Sequence, residues 1–221
     1  MSILNYTVIW IGTGVILLAF IISLIFSKSN KAYMNGFFFC VLIGLLLSIN
    51  TIISRFFFLY DKQISFLIQN TLFILELFFW TLFFLKLLRD AKNKRIIQTL
   101  FITTLSLAFY ILYYNSTDQS NLHVLGLLNI CKTIFCILFY HNLFKKISDQ
   151  NILLEPSFWI VNGLIFYSCL SIPFYGLNNY ITLQFSPLIS NNIFSISNML
   201  IIIMYLFFIK AYLCKPHLHR P

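Results

Sequence analysis

The chain has 221 residues, of which 60% are hydrophobic and 10% charged. Soluble domains carry about 25% charged residues, and a water-soluble fold of this length could not hide so much apolar surface, so lipid is the expected solvent. The net charge of +9 gathers at the ends of apolar stretches, which reads as membrane topology and headgroup contact; nucleic-acid binding has no motif to support it.

A helix needs roughly 20 apolar residues to cross the hydrocarbon core. Seven stretches qualify: Leu4–Phe26, Met34–Phe58, Ile64–Leu88, Ile96–Tyr114, Leu122–Phe144, Pro156–Leu177 and Leu188–Leu213. The expected fold class is all-α, one polytopic seven-helix transmembrane domain over residues 1–221. The first helix reads as a signal anchor: no basic residue precedes it, and Lys28 and Lys31 follow it. The second carries Gly36, Cys40, Gly44 and Ser48 at steps of four, a stripe that lets backbones approach closely. Gly12, Ile16, Ala19 and Ser23 make a weaker stripe on the first helix. Both stripes are expected to face other helices of the bundle, with a dimer interface as the alternative.

The third helix aligns Gln69, Phe73, Glu76, Trp80 and Phe83 on one face. The densest basic cluster follows it: Lys86, Arg89, Lys92, Lys94 and Arg95. The fourth aligns Thr99, Thr103, Ser106 and Tyr110, hydroxyls of a kind that often bond their own backbone. The fifth aligns Asn129, Lys132, Cys136 and Tyr140. The sixth opens with Pro156 at a first-turn position, carries Asn162 and Cys169, and should kink or end at Pro173. The connection Asn178–Ser190 is expected to lie on the membrane surface or fold over the bundle mouth. The seventh aligns Asn191, Ser195, Asn198, Ile202 and Tyr205.

Connections one, three and five plus the C-terminal tail hold twelve Lys and Arg, while the N-terminus and the other connections hold only Arg55 and Lys62. The positive-inside rule then places the N-terminus outside and the C-terminus in the cytoplasm. The five cysteines lack the CxxC spacing of a redox or zinc site and are expected to be free apolar packers.

Glu76 and Lys132 are charges in the middle of apolar helices. Each costs about 2.5–3.5 kcal/mol on the insertion scale unless it finds a partner. They lie at matched depth. One reading is a structural ion pair that fixes helix register. The other is a polar pocket in which Glu76, Lys132, Gln69, Asn129, Asn162 and Asn198 bind a small zwitterion, a lipid headgroup or a proton. A third is that the two never meet and Lys132 snorkels.

Sharper signatures are missing. No lysine sits in the middle of the last helix, as a retinal protein requires, and no Pro-Gln dipeptide occurs. His123, His141, His217 and His219 form no HExxH or similar metal motif. No Gly-x-Ser-x-Gly elbow or phosphate-binding loop is present. Neither a catalytic residue, a metal nor a cofactor is therefore assigned.

The run Glu155-Pro156-Ser157-Phe158-Trp159-Ile160-Val161-Asn162-Gly163-Leu164-Ile165-Phe166-Tyr167, with Pro173 after it and Leu75-Glu76-Leu77 on the third helix, resembles a group of uncharacterised bacterial seven-helix inner-membrane proteins. That group is similar in layout to the membrane sensor modules of histidine kinases. The resemblance covers the layout of most of the chain but only this motif in residues, and Lys132 has no counterpart in it. It implies seven helices in a bacterial inner membrane and no established activity. The leading expectation is a sensor or accessory signalling subunit that binds a small ligand or lipid centrally and contacts a membrane or cytoplasmic signalling partner. A small proton-coupled transporter using Glu76 and an integral membrane lipid enzyme are the alternatives.

Overall fold

The computed structural model describes residues 3–26, 32–56, 62–114, 117–145, 152–177 and 187–214. Among them are seven long helices: α1 (Ile3–Phe26), α2 (Ala32–Phe56), α3 (Lys62–Leu87), α4 (Ala91–Tyr114), α5 (Thr117–Phe144), α6 (Pro156–Gly176) and α7 (Pro187–Leu213). A short 3₁₀ turn, Ile152–Leu154, leads into α6. All seven are long and apolar enough to cross a membrane. By length and composition they are the helices of a multi-pass membrane protein.

Each helix packs on the next in sequence, and α7 returns to pack on α1, so the bundle closes into a ring. Partner residues show the directions. Asn50 meets Ser65 and Gly36 meets Phe83, so α2 and α3 are antiparallel. Asn129 meets Ser171 and Tyr140 meets Asn162, so α5 and α6 are antiparallel. Lys86, Arg89, Lys92, Lys94, Arg95, Lys145 and Lys210 all fall at one end, called the basic end below; α1 starts at the opposite end.

Contact between α3 and α5 inside the ring pushes α4 outward. The spans record this: 56% of the α5 span is buried against 17% for α4. Thr99, Thr103 and Ser106 on exposed α4 bond their own helix backbone, as expected of hydroxyls with no partner helix. The outer surface is apolar, with Leu17, Leu18, Ile21, Ile102, Leu107, Ile137 and Leu206 exposed, which suits lipid and not water.

The two small-residue stripes face inward. Gly12, Ile16, Ala19 and Ser23 are buried, with Gly12 against Ile202 of α7. Gly36 and Cys40 are buried too, and Gly36 lies on the Phe83 backbone. Within the described monomer both stripes serve intramolecular packing.

Two expected boundaries move by five residues, and the helix expected to reach Leu177 does not stop early at Pro173. Helix α4 starts at Ala91, not Ile96, so Lys92, Lys94 and Arg95 of the basic cluster ride on its first turns. The cause is Asp90, whose Oδ1 accepts the Lys92 backbone N–H at 3.1 Å and whose carbonyl accepts from Lys94. That is an N-cap, and hydropathy does not register it. Asp90→Ala is expected to cost about 1 kcal/mol, read as a lower melting temperature with faster amide exchange at Lys92 and Asn93. Helix α5 begins at Thr117, not Leu122, because polar residues extend a helix beyond its apolar span. Helix α6 does not end at Pro173 but continues to Gly176, where Leu177 N–H bonds the Pro173 carbonyl. Residues 178–186 of the sixth connection lie outside the described residues.

Candidate functional site

The two intramembrane charges meet. Lys132 Nζ donates to Glu76 Oε1 at 2.8 Å, joining α5 to α3. Trp80 Nε1, one helical turn along α3, donates to the same oxygen at 3.1 Å. No described residue bonds Oε2. The pair is not symmetric: the Lys132 side chain is 1% exposed and that of Glu76 is 16% exposed.

The difference arises because Glu76 faces a cavity and Lys132 stands behind it. The cavity has a volume of about 290 Å³. Gln69, Phe73 and Glu76 of α3 line it together with Gly44 and Ser48 of α2, Tyr167 and Tyr175 of α6, and Asn198 and Tyr205 of α7. On α5 and α6 the lining lies in the half away from the basic end, while on α1, α3 and α7 it reaches just past the middle, to Ile16, Glu76 and Tyr205. From the level of Gln69 to that of Glu76 the cavity descends about 10 Å, at 1.5 Å per residue. It carries Ser, Thr and Tyr hydroxyls and two amides on an otherwise apolar wall, and among its described lining residues Glu76 is the only Asp, Glu, Lys, Arg or His.

Toward the basic end the bundle is closed by aromatic rings. Phe37 packs edge-on to Phe208 at 4.9 Å and stacks on Tyr212 at 5.1 Å. Trp80 meets Phe83 edge-on at 5.5 Å and lies 5.8 Å from Phe208. Phe37, Trp80, Phe83, Phe84 and Phe208 are all fully buried. These rings tie α2, α3 and α7 together one to two turns beyond the cavity floor. Each such pair adds about 0.5–1.5 kcal/mol beyond the area it buries.

Three of the six residues named from sequence come together at this cavity: Glu76, Gln69 and Asn198. The other three stand elsewhere. Lys132 is buried behind Glu76. Asn129 Nδ2 bonds Ser171 Oγ at 2.9 Å inside the α5–α6 contact, and its Oδ1 is buried without a protein partner. Asn162 accepts from the Tyr140 hydroxyl at 2.6 Å, toward the basic end. The reading in which Glu76 and Lys132 never meet is overturned by the 2.8 Å contact.

Sequence reasoning missed Tyr167, Tyr175 and Ser197. The two tyrosine hydroxyls lie 3.2 Å apart, and Tyr175 reaches Ser197 at 3.4 Å. The signal was available, since Tyr167 and Tyr175 are eight residues apart and share a helix face. Tyr205 also shapes the cavity. Its hydroxyl occupies the place where a Cβ on Gly44 would stand. Gly44→Ala is therefore expected to swing that ring end into the cavity, shrinking it while lowering stability by less than about 2 kcal/mol. A melting curve and a crystal or cryo-EM map of the variant would check both parts.

The five cysteines are free, with Cys40, Cys131 and Cys136 buried. Among the described residues no three His, Cys, Asp or Glu side chains gather in a way that could hold a metal ion. The class defined by fold and site is a closed seven-helix bundle with a polar cavity open in one half and an ion pair at its floor. Comparison with protein-family models, with curated proteins and with solved structures finds no match to this chain.

Proposed function

We propose that the chain is a multi-pass protein of a bacterial inner membrane, with its N-terminus outside and its C-terminus in the cytoplasm. It binds a small molecule from the outer side and acts as a sensor or accessory signalling subunit. The observation that carries this reading is the cavity lined by Glu76 next to buried aromatic packing. A site that is polar at its floor, apolar along its walls and closed at one end suits binding and reporting. The rings below it join α2, α3 and α7, so a ligand that moves Glu76 or Tyr205 strains the contacts nearest the basic end. The basic turn of α4, with Lys92, Lys94 and Arg95, is the surface offered to a signalling partner.

Native mass spectrometry of the protein in mild detergent tests the binding half. A bound species of defined mass is expected, absent from Leu125→Trp, a substitution that fills the cavity. The same occupancy in both proteins would overturn the reading. One observation favours a transporter as the second reading: Glu76, an acidic residue at mid-membrane depth, faces a one-sided cavity. Proteoliposome uptake that Glu76→Gln abolishes in a folded protein would select it over the sensor.

A further inference from the structure

We infer that the cavity takes a cationic ligand, an ammonium group on a short apolar body, with the ammonium bonded to Glu76 Oε2. This rests on the reading of the cavity as a ligand site and specifies its occupant.

Four observations converge on this assignment. First, among the described lining residues there is no Lys, Arg or His, so an anionic or zwitterionic ligand finds no cation among them for its negative group. Second, both bonds to the Glu76 carboxylate go to Oε1, from Lys132 and Trp80. Oε2 accepts nothing from a described residue. A carboxylate oxygen in a low-dielectric cavity calls for a donor, and a charged donor bonds it more strongly than a neutral one. Third, a ligand cation would touch Oε2 from the cavity, whereas Lys132 holds the other oxygen from outside the lining. Attraction to the carboxylate then acts over a shorter distance than repulsion from Lys132, and the shorter term prevails. Fourth, the surroundings fit the rest of an ammonium ligand. The hydroxyls of Ser48, Ser197 and Tyr205 can accept its remaining N–H groups. The aromatic residues Phe73 and Tyr167 are part of the lining, and aromatic rings attract cations. Leu47 and Ile201 supply the apolar wall. At about 290 Å³ the space lies at the bottom of the usual range for small-molecule sites, so the body must be short.

Lys132 thereby gains a role beyond pairing. It holds Oε1 from behind and leaves Oε2 to the ligand, without itself entering the cavity.

A matched set of probes tests the assignment: 2-phenylethylammonium, 2-phenylethanol and 3-phenylpropionate, titrated calorimetrically into the full chain in detergent. The ammonium is expected to bind at least tenfold more tightly than the alcohol, and the carboxylate not at all. The double variant Glu76→Gln/Lys132→Met loses both charges together and so leaves no lone buried ion to unfold it. It is expected to show no preference for the ammonium over the alcohol. Equal binding of alcohol and ammonium by the parent, or a preference retained by the double variant, overturns the cation and leaves the cavity reading standing. Failure of all three probes to bind the parent overturns both.

Discussion

Glu76→Gln is expected to destabilise the protein more than Lys132→Met, although the two side chains form one pair. Removing one partner of a buried ion pair costs about 3–5 kcal/mol, because the other charge is left alone. That cost depends on where the survivor sits. After Glu76→Gln the survivor is the Lys132 ammonium, 1% exposed and walled in by α3 and α5. The amide oxygen can still accept from Lys132 and Trp80, but it brings no negative charge. The full penalty therefore applies. After Lys132→Met the survivor is the Glu76 carboxylate, 16% exposed and facing the cavity. It can be hydrated there, so a loss nearer about 1–2 kcal/mol is expected, below the penalty for a sealed charge. The double variant should lie within about 2 kcal/mol of the parent, since an ion pair replaced as a unit contributes little net stability. Melting followed with a thiol-reactive dye is a suitable measurement, because Cys40, Cys131 and Cys136 are free and buried until the bundle opens. Equal losses in the two single variants, or the reverse order, would mean that the cavity does not relieve Glu76 and would weaken its assignment to a ligand.

The parts legible in the sequence were those written in one-dimensional spacing. Helix positions follow from apolar length, so the expected start of α6 and the ends of α5 and α7 match the structure. The inward faces of α3 and α5 follow from steps of three and four, which brought Gln69, Phe73, Glu76 and Trp80 into one stripe. Matched depth also pointed to the Glu76–Lys132 pair. What spacing cannot carry is which side of a residue is open. Asn129, Asn162 and Glu76 all look like polar residues on inward faces. Yet Asn129 and Asn162 are turned to Ser171 and Tyr140 within the α5–α6 contact, while Glu76 lines the cavity. That difference depends on the angular setting of α6 against α5, a tertiary quantity. The early start of α4 was missed for another reason. Hydropathy sees Lys92, Lys94 and Arg95 as loop, whereas the cap at Asp90 makes them helix.

Gly163→Ala is expected to be the most damaging single-methyl change among the bundle glycines, and Gly36→Ala one of the mildest. Neither could be ranked from the small-residue stripes, since Gly36 lies on the strongest stripe and Gly163 on none. A Cβ on Gly163 would lie 2.8 Å from Phe207 Cβ and 3.0 Å from the Met204 carbonyl oxygen. Both atoms are fixed to the α7 backbone, so no rotamer change relieves the contact. Only separation of α6 from α7 does, along one of the most extensive helix contacts in the bundle. Overpacking of this kind costs about 3 kcal/mol, and the better helix propensity of Ala returns only about 1 kcal/mol. A net loss of about 2 kcal/mol follows from these two terms. A Cβ on Gly36 would stand 3.6 Å from the Phe83 backbone nitrogen, an ordinary contact. There the propensity term acts alone, and a gain of up to about 1 kcal/mol is expected. The pair also separates stability from function. Helix α7 contributes Ser197, Asn198 and Tyr205 to the cavity, so moving it by the width of a methyl group should weaken probe binding in Gly163→Ala, while Gly36→Ala binds as the parent does. A Gly163→Ala protein that melts and binds like the parent would show that α6 and α7 cross more loosely than these distances imply.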